Sequence, residues 1–224
     1  LASLTALLDD GLPIGPVIDG DLVDGGVMPR HPLTALADGV GAVVPLLIGA
    51  TDDEVTALTG RYRRLLALVP VPLALAALGL GRSRRRAYLA RTPRRGAAAI
   101  LGGYASDRVF RSTVLRAARG RGAAPTWVYR FAWRSPRFGV ACHCLDVPFW
   151  FDHLDAEGVD AIAGEDAPRA LATDMHTALV AFVRDGDAGW PAWDGVGRAR
   201  VFDTAASLVE PIDSDAYAEV APLL

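Results

Sequence analysis

The chain contains no lysine, asparagine or glutamine, and all 23 of its basic residues are arginine. That bias reads as the codon usage of a GC-rich genome, so arginine content by itself does not point to an anionic partner. Only two cysteines occur, Cys142 and Cys144, with one residue between them. They can staple no long loop, which excludes a disulfide scaffold and makes a reduced, intracellular chain the simpler reading, cytoplasmic rather than secreted. Residues 1 to 25 lack a basic segment followed by an apolar stretch, so no signal peptide is expected in them. A formal net charge of −3 excludes a nucleic-acid binder by bulk charge, and 51% hydrophobic against 22% charged residues excludes a disordered chain.

Long apolar runs are also scarce. The one to check, Leu65 to Gly81, is shorter than the roughly 20 residues a spanning helix needs, and Pro70 and Pro72 interrupt it near its start. The expectation is a buried helix from near Val71, with no membrane partner. Just beyond it, Arg82 to Arg95 carries seven arginines with Tyr88 as the one interleaved aromatic. Base stacking has little to work with there, so a solvated face is expected rather than a nucleic-acid surface.

What is present suits one domain. A chain of 224 residues and 23.7 kDa buries about 70% of its unfolded surface, and no Ser/Gly linker or repeat divides it. Val43 to Ala50 is a continuous apolar run, as in a strand buried on both faces. Val55, Leu58, Tyr62, Leu65 and Leu66 share one helical face, and the helical pattern continues over Leu73 to Leu80 and Ala105 to Arg119. Trp127, Tyr129, Phe131 and Trp133 alternate as a strand does over Thr126 to Trp133. Asp166 to Arg184 reads as a helix with Pro168 near its start, Leu171, Met175, Leu179 and Phe182 on one face, and Asp185-Gly186 at its end. Arg200 to Glu210 reads as a final strand or hairpin. Strands alternating with helices give an α/β sheet.

His143 follows the aromatic strand, in a loop of the kind where α/β folds place reactive groups. A neutral imidazole there can accept a nucleophile's proton if a carboxylate fixes its tautomer. Asp52-Asp53-Glu54 occupies the corresponding place after the Val43 to Ala50 strand. In isolation, His143 would serve as a hydrogen-bonded loop residue and Glu54 as a carboxylate at a helix start. His31, His153 and His176 have no partner pattern. Cys142 and Cys144 flanking His143 do not make a zinc site, because adjacent residues cannot all turn to tetrahedral positions and no second ligand cluster accompanies them.

From about Leu12 to Pro211 the sequence resembles the C-terminal portion of the type B carboxylesterases, serine hydrolases of the α/β-hydrolase fold that include para-nitrobenzyl esterases and cholinesterases. Six pieces occur in the family's order. They are Gly15-Pro-Val-Ile-Asp-Gly20-Asp with Pro32-Leu33 and Ala35-Leu36; Val44-Pro-Leu-Leu-Ile-Gly49 running to Asp52-Asp53-Glu54; Asp107-Arg-Val-Phe110-Arg; Tyr129-Arg-Phe131; Ala141-Cys-His143 with Asp146-Val-Pro148-Phe; and Met175, Phe182 and Gly186 with Trp190-Pro191, Trp193 and Val201-Phe202-Asp203. The resemblance implies a bacterial carboxylic ester hydrolase, with Glu54 and His143 as the acid and base of a catalytic triad, a small-molecule ester substrate, and no cofactor or metal. It also implies an α/β-hydrolase fold in which residues 1–224 form the C-terminal part of a single, incomplete domain. Asp146 reads either as support for the histidine or as a structural hydrogen-bond acceptor.

Three departures touch the loops: Cys144 stands where the family usually has glycine, Val55 where it has glycine or an aromatic residue, and Leu179 where tryptophan is frequent. The larger departure is the nucleophile. The family's G-x-S-x-G elbow and Gly-rich oxyanion loop precede every piece found here. Of the seven serines only Ser83, in Gly81-Arg-Ser83-Arg-Arg85, has the first glycine, and it lacks the second. The chain is thus expected to need the N-terminal portion of the same fold as its partner and to be inactive alone. The alternative is a non-catalytic interaction or relic domain.

Overall fold

The computed structural model describes residues 18, 28–203, 212–213 and 215–224. Its sheet has four strands in the order β1 (Leu46–Thr51), β2 (Thr126–Phe131), β3 (Ala199–Phe202) and β4 (Ile212–Asp213). β1 and β2 run parallel in register from Leu46 opposite Thr126 to Thr51 opposite Phe131; β3 is parallel to β2 and β4 antiparallel to β3. The α/β class holds. β1 starts later than the apolar run predicts. Val43 and Val44 lie before it, 91% and 60% exposed. Among the described residues β1 pairs on one side only, which leaves its other edge open. The lead-in motif around Gly15 to Asp21, apart from Ile18, and most of the expected hairpin, residues 204–211, lie outside the described residues.

Helices cover the sheet: α1 (Pro32–Ala37), α2 (Thr56–Gly60), α3 (Arg63–Leu66), α4 (Val71–Ala77), α5 (Arg82–Arg91), α6 (Ala97–Ser106), α7 (Ser112–Gly120), α8 (Val147–Trp150), α9 (Val159–Ala163) and α10 (Arg169–Asp185). The single helix expected over Val55 to Leu66 is two short ones. Its expected core face is split: Leu58, Tyr62 and Leu65 are exposed, Leu58 61% and Leu65 70%, while Val55 and Leu66 pack against the core. The reason is the seat of α2 on α6. A β-carbon on Gly102 would come within 2.8 Å of Thr56 Cα, so the two backbones meet there. Thr59 Oγ1 donates to the Ala98 carbonyl at 2.9 Å. The threonine face is held inward, and Leu58, the one leucine on the same short helix, must turn out.

α6 and α7 form one rod interrupted by a π turn at Asp107–Arg111, longer than the expected Ala105 to Arg119 helix. The turn places Asp107 and Arg111 side by side in the interior, 2.7 Å apart. In α4, Leu75 is buried while Leu73 points out. Among the described residues no helix is long and apolar enough to cross a membrane. α10 matches its predicted face: Leu171 and Met175 are buried, and Gly186 caps its end.

Alternation along β2 divides the core. Trp127, Phe131, Phe149, Trp150, Phe202 and Met175 pack on one face, and Val128 meets Val114, Leu115, Tyr217 and Val220 on the other. A third cluster joins Leu75, Tyr88, Leu101 and Tyr104. The arginine cluster needs one correction. Arg82, Arg84, Arg86 and Arg91 are exposed as expected, but the Arg94 side chain is buried among carboxylates, and Tyr88 turns inward to donate to Asp107 Oδ2 at 2.8 Å.

Candidate active site

β1 ends at Thr51 and delivers three consecutive carboxylates to one turn, each with a different partner. Asp52 takes a two-pronged contact from Arg130, Nε to Oδ1 at 2.6 Å and Nη2 to Oδ2 at 2.8 Å. Asp53 accepts from Arg94 Nε at 3.2 Å and Thr56 Oγ1 at 3.0 Å. Glu54 accepts the Thr51 amide on Oε1 at 3.0 Å and presents Oε2 to His143 Nδ1 at 2.6 Å. Arginines occupy the two aspartates, so Glu54 is the acid left for the ring.

The two loops are tied through the backbone. The Asp53 amide donates to the Ala141 carbonyl at 2.9 Å, the Asp52 amide to the Phe131 carbonyl at 3.0 Å, and the Val55 amide to Ser106 Oγ at 3.1 Å. The strand-end loops after β1 and β2 therefore sit at one edge of the sheet, fastened to the end of α6. Phe110 packs beside the imidazole, with ring centroids 5.5 Å apart. An ionised carboxylate can only accept, so Glu54 fixes the hydrogen on Nδ1 and leaves Nε2 as the acceptor. The Glu54 side chain is 7% exposed and the His143 side chain 61%. The acid is screened from water while the ring faces outward. Among the described residues no group bonds Nε2.

Cys144 has φ of 60°, the left-handed region that favours glycine, which accounts for the glycine usual at this place in the family the sequence resembles. Asp146 accepts the Tyr129 hydroxyl at 3.0 Å, the contact of a structural acceptor. Burial raises its carboxyl above the usual range although that hydrogen bond works against it. Cys142 is buried and Cys144 exposed, and among the described residues no three His, Cys, Asp or Glu side chains are grouped to hold a metal. Ser83 is exposed on the first turn of α5. Ser106, Ser112 and Ser135 donate to the carbonyls of Gly102, Arg108 and Ile162. None of them meets His143.

Beneath the acid turn lies a buried charge network that takes Asp107 and Arg111 from the Asp107-Arg-Val-Phe110-Arg piece and the rest from distant segments. Arg111, wholly buried, pairs with Asp107 at 2.7 Å and with Glu219 at 2.6 Å, and lies 3.7 Å from Asp52. Burial would push the Asp52 carboxyl up, but the Arg130 hydrogen bonds and the charges of Arg111, Arg130 and Arg94 hold it below its ordinary value. At Asp107 burial prevails over Arg111 and Arg94, and the carboxyl is raised. Glu219 joins from 108 positions away, a separation no spacing rule covers.

The para-nitrobenzyl esterase of Bacillus subtilis is 29% identical over 190 residues, 76% of this chain and 36% of that protein. A carboxylesterase of Geobacillus stearothermophilus superposes with a TM-score of 0.73 at 28% identity, covering 98% of this chain and 47% of that one. The structure of a para-nitrobenzyl esterase gives 0.65 at 22% identity, over 96% and 44% of the two chains, a likeness of fold. No family model matches the chain. The chain spans less than half the length of these relatives. These likenesses, with the parallel strands, flanking helices and strand-end loops, make it part of an α/β-hydrolase fold. Within that class it is similar to the type B carboxylesterases, those of the para-nitrobenzyl esterase group.

Proposed function

We propose that residues 1–224 are the acid- and base-bearing C-terminal portion of a single type B carboxylesterase domain that hydrolyses small carboxylic esters. The observation that supports this most is the 2.6 Å contact between Glu54 Oε2 and His143 Nδ1, with Nε2 left open. A serine from the N-terminal portion attacks the ester carbonyl. His143 takes its proton and returns it to the leaving alcohol, and Glu54 orients the ring and stabilises the imidazolium. The open edge of β1, with exposed Val43 and Val44 before it, suits a parallel neighbour from that portion. An apolar open edge also invites aggregation.

The second reading, a non-catalytic interaction or relic domain, is favoured by one observation: no described serine meets His143. An in-frame G-x-S-x-G segment upstream in the gene separates the two, supporting the enzyme if present and the alternative if absent. The isolated chain should show no esterase turnover above buffer, no labelling by an active-serine reagent, and a tendency to aggregate. Supplying the N-terminal portion in trans should restore turnover, and Glu54→Gln or His143→Ala should then lower kcat by about 10³ to 10⁴. An isolated chain that is monomeric, folds cooperatively and labels at Ser83 would overturn this reading.

A further inference from the structure

A cavity of about 170 Å³ is lined by Arg84 on α5, Arg108 in the π turn and Arg116 on α7. Tyr104 and Leu223, both buried, line it too, and the Tyr104 hydroxyl donates to the Leu78 carbonyl at 3.4 Å. No acidic side chain among the described residues does.

The three positive charges meet no counter-charge there. Among the described residues the Arg84 and Arg108 side chains have no hydrogen bond or ion pair. Arg116 donates to the Leu223 backbone carbonyl at 3.3 Å. Asp107, next to Arg108 in the chain, is occupied by Tyr88, Arg94 and Arg111. Burial holds the Arg116 guanidinium below its ordinary value, and the charges of Arg108 and Arg84 push it the same way, so the three lie close enough to repel. Codon bias explains why the basic residues are arginine, but not why three from separate elements converge on one concavity. An anion among them would relieve the repulsion in a cleft that concentrates positive potential.

Size and charge narrow the choice of anion. The cavity is smaller than the roughly 300–1,000 Å³ of sites for drug-sized ligands. Guanidinium groups entering from three elements suit an ion with acceptor oxygens on several sides, whereas a carboxylate offers two oxygens in one plane. A phosphate carries about −1.5 to −2 charge at neutral pH and at least three such oxygens. We propose that this cavity binds a phosphate dianion, either as the free ion or as the terminal group of a phosphomonoester. None of its lining residues belongs to the Glu54 or His143 loop, so the site stands whether or not the chain takes part in ester hydrolysis.

The test is calorimetric titration of the protein expressed from its full reading frame, at low salt and about pH 8, where both phosphates are dianions. Inorganic phosphate, phenyl phosphate and malonate are the probes. Wild type is compared with R84Q/R108Q and with R82Q/R86Q, which removes the same charge from exposed positions of α5 outside the cavity, with circular dichroism as the folding control. Phosphate should bind wild type, weaken about tenfold in R84Q/R108Q and change by less than about twofold in R82Q/R86Q. Phenyl phosphate binding as well as the inorganic ion identifies a phosphomonoester as the occupant, and binding of inorganic phosphate alone identifies the free ion. A flat phosphate titration of wild type overturns the proposal, as does equal weakening in the two double variants, which would mean diffuse attraction. Malonate binding as tightly as phosphate overturns it too. Should R84Q/R108Q fail to fold, Arg84→Gln alone, at an exposed residue, decides the matter with an expected loss of about threefold.

Discussion

Gly49 and Tyr129 face each other across the β1–β2 ladder, and a β-carbon on Gly49 would come within 2.4 Å of the Tyr129 ring carbons. The ring crosses over β1 because nothing stands there. That path carries its hydroxyl to Asp146, at the start of α8 and just beyond the His143 loop. Gly49→Ala should therefore destabilise the protein by about 1–3 kcal/mol through overpacking. In denaturant titrations of the protein expressed from its full reading frame, the Gly49→Ala/Tyr129→Ala double variant should lose less than the sum of the two single variants.

Cys144, at φ of 60°, carries the cost of a side chain in the left-handed region, about 1–2 kcal/mol. Cys144→Gly should relieve most of that and raise the melting temperature by about 2–4 °C. A thermal scan checks it, with Cys144→Ala as the control that removes the sulfur but keeps the β-carbon and should give no such gain.

The acid turn makes a discriminating set. Glu54→Gln should abolish the low-field proton resonance expected of a carboxylate-bonded Nδ1 hydrogen on His143. Asp53→Asn should keep it, because Asp53 faces Arg94 and Thr56. Loss of the signal in Asp53→Asn but not in Glu54→Gln would reverse the assignment.

The buried network sets an acid limit on stability. Because the folded Asp52 carboxyl titrates below its ordinary value of 3.8, the stabilisation is fully present above about pH 5 and is lost as the pH falls through the folded value. The stability gap between wild type and Asp52→Asn should thus be constant from about pH 5 to 7 and shrink below about pH 4. Asp107, raised by burial, contributes with the opposite sign. Removing the central cation by Arg111→Met leaves Asp107 and Glu219 buried without it. The expected cost is about 3–5 kcal/mol, read by urea titration.

The sequence by itself determined the α/β class, the long helix ending at Gly186, the alternating aromatic strand, and the candidacy of Glu54 and His143. Each follows from short-range pattern: a period of two or 3.6, a terminal glycine, an ordered set of motifs. The motif order also singled out Glu54 within its acidic run. Only the tertiary structure showed why Asp52 and Asp53 are unavailable to the ring, since their arginines arrive from β2 and from the segment before α6. It decided as well that α2 faces inward with threonines, because Gly102 on a distant helix lets the backbones meet, and that one arginine of a solvated-looking cluster, Arg94, is buried. These outcomes depend on desolvation and on partners far apart in the chain. Local periodicity reports which face of a segment is apolar, but not which polar groups will find a buried counter-charge once the elements have packed.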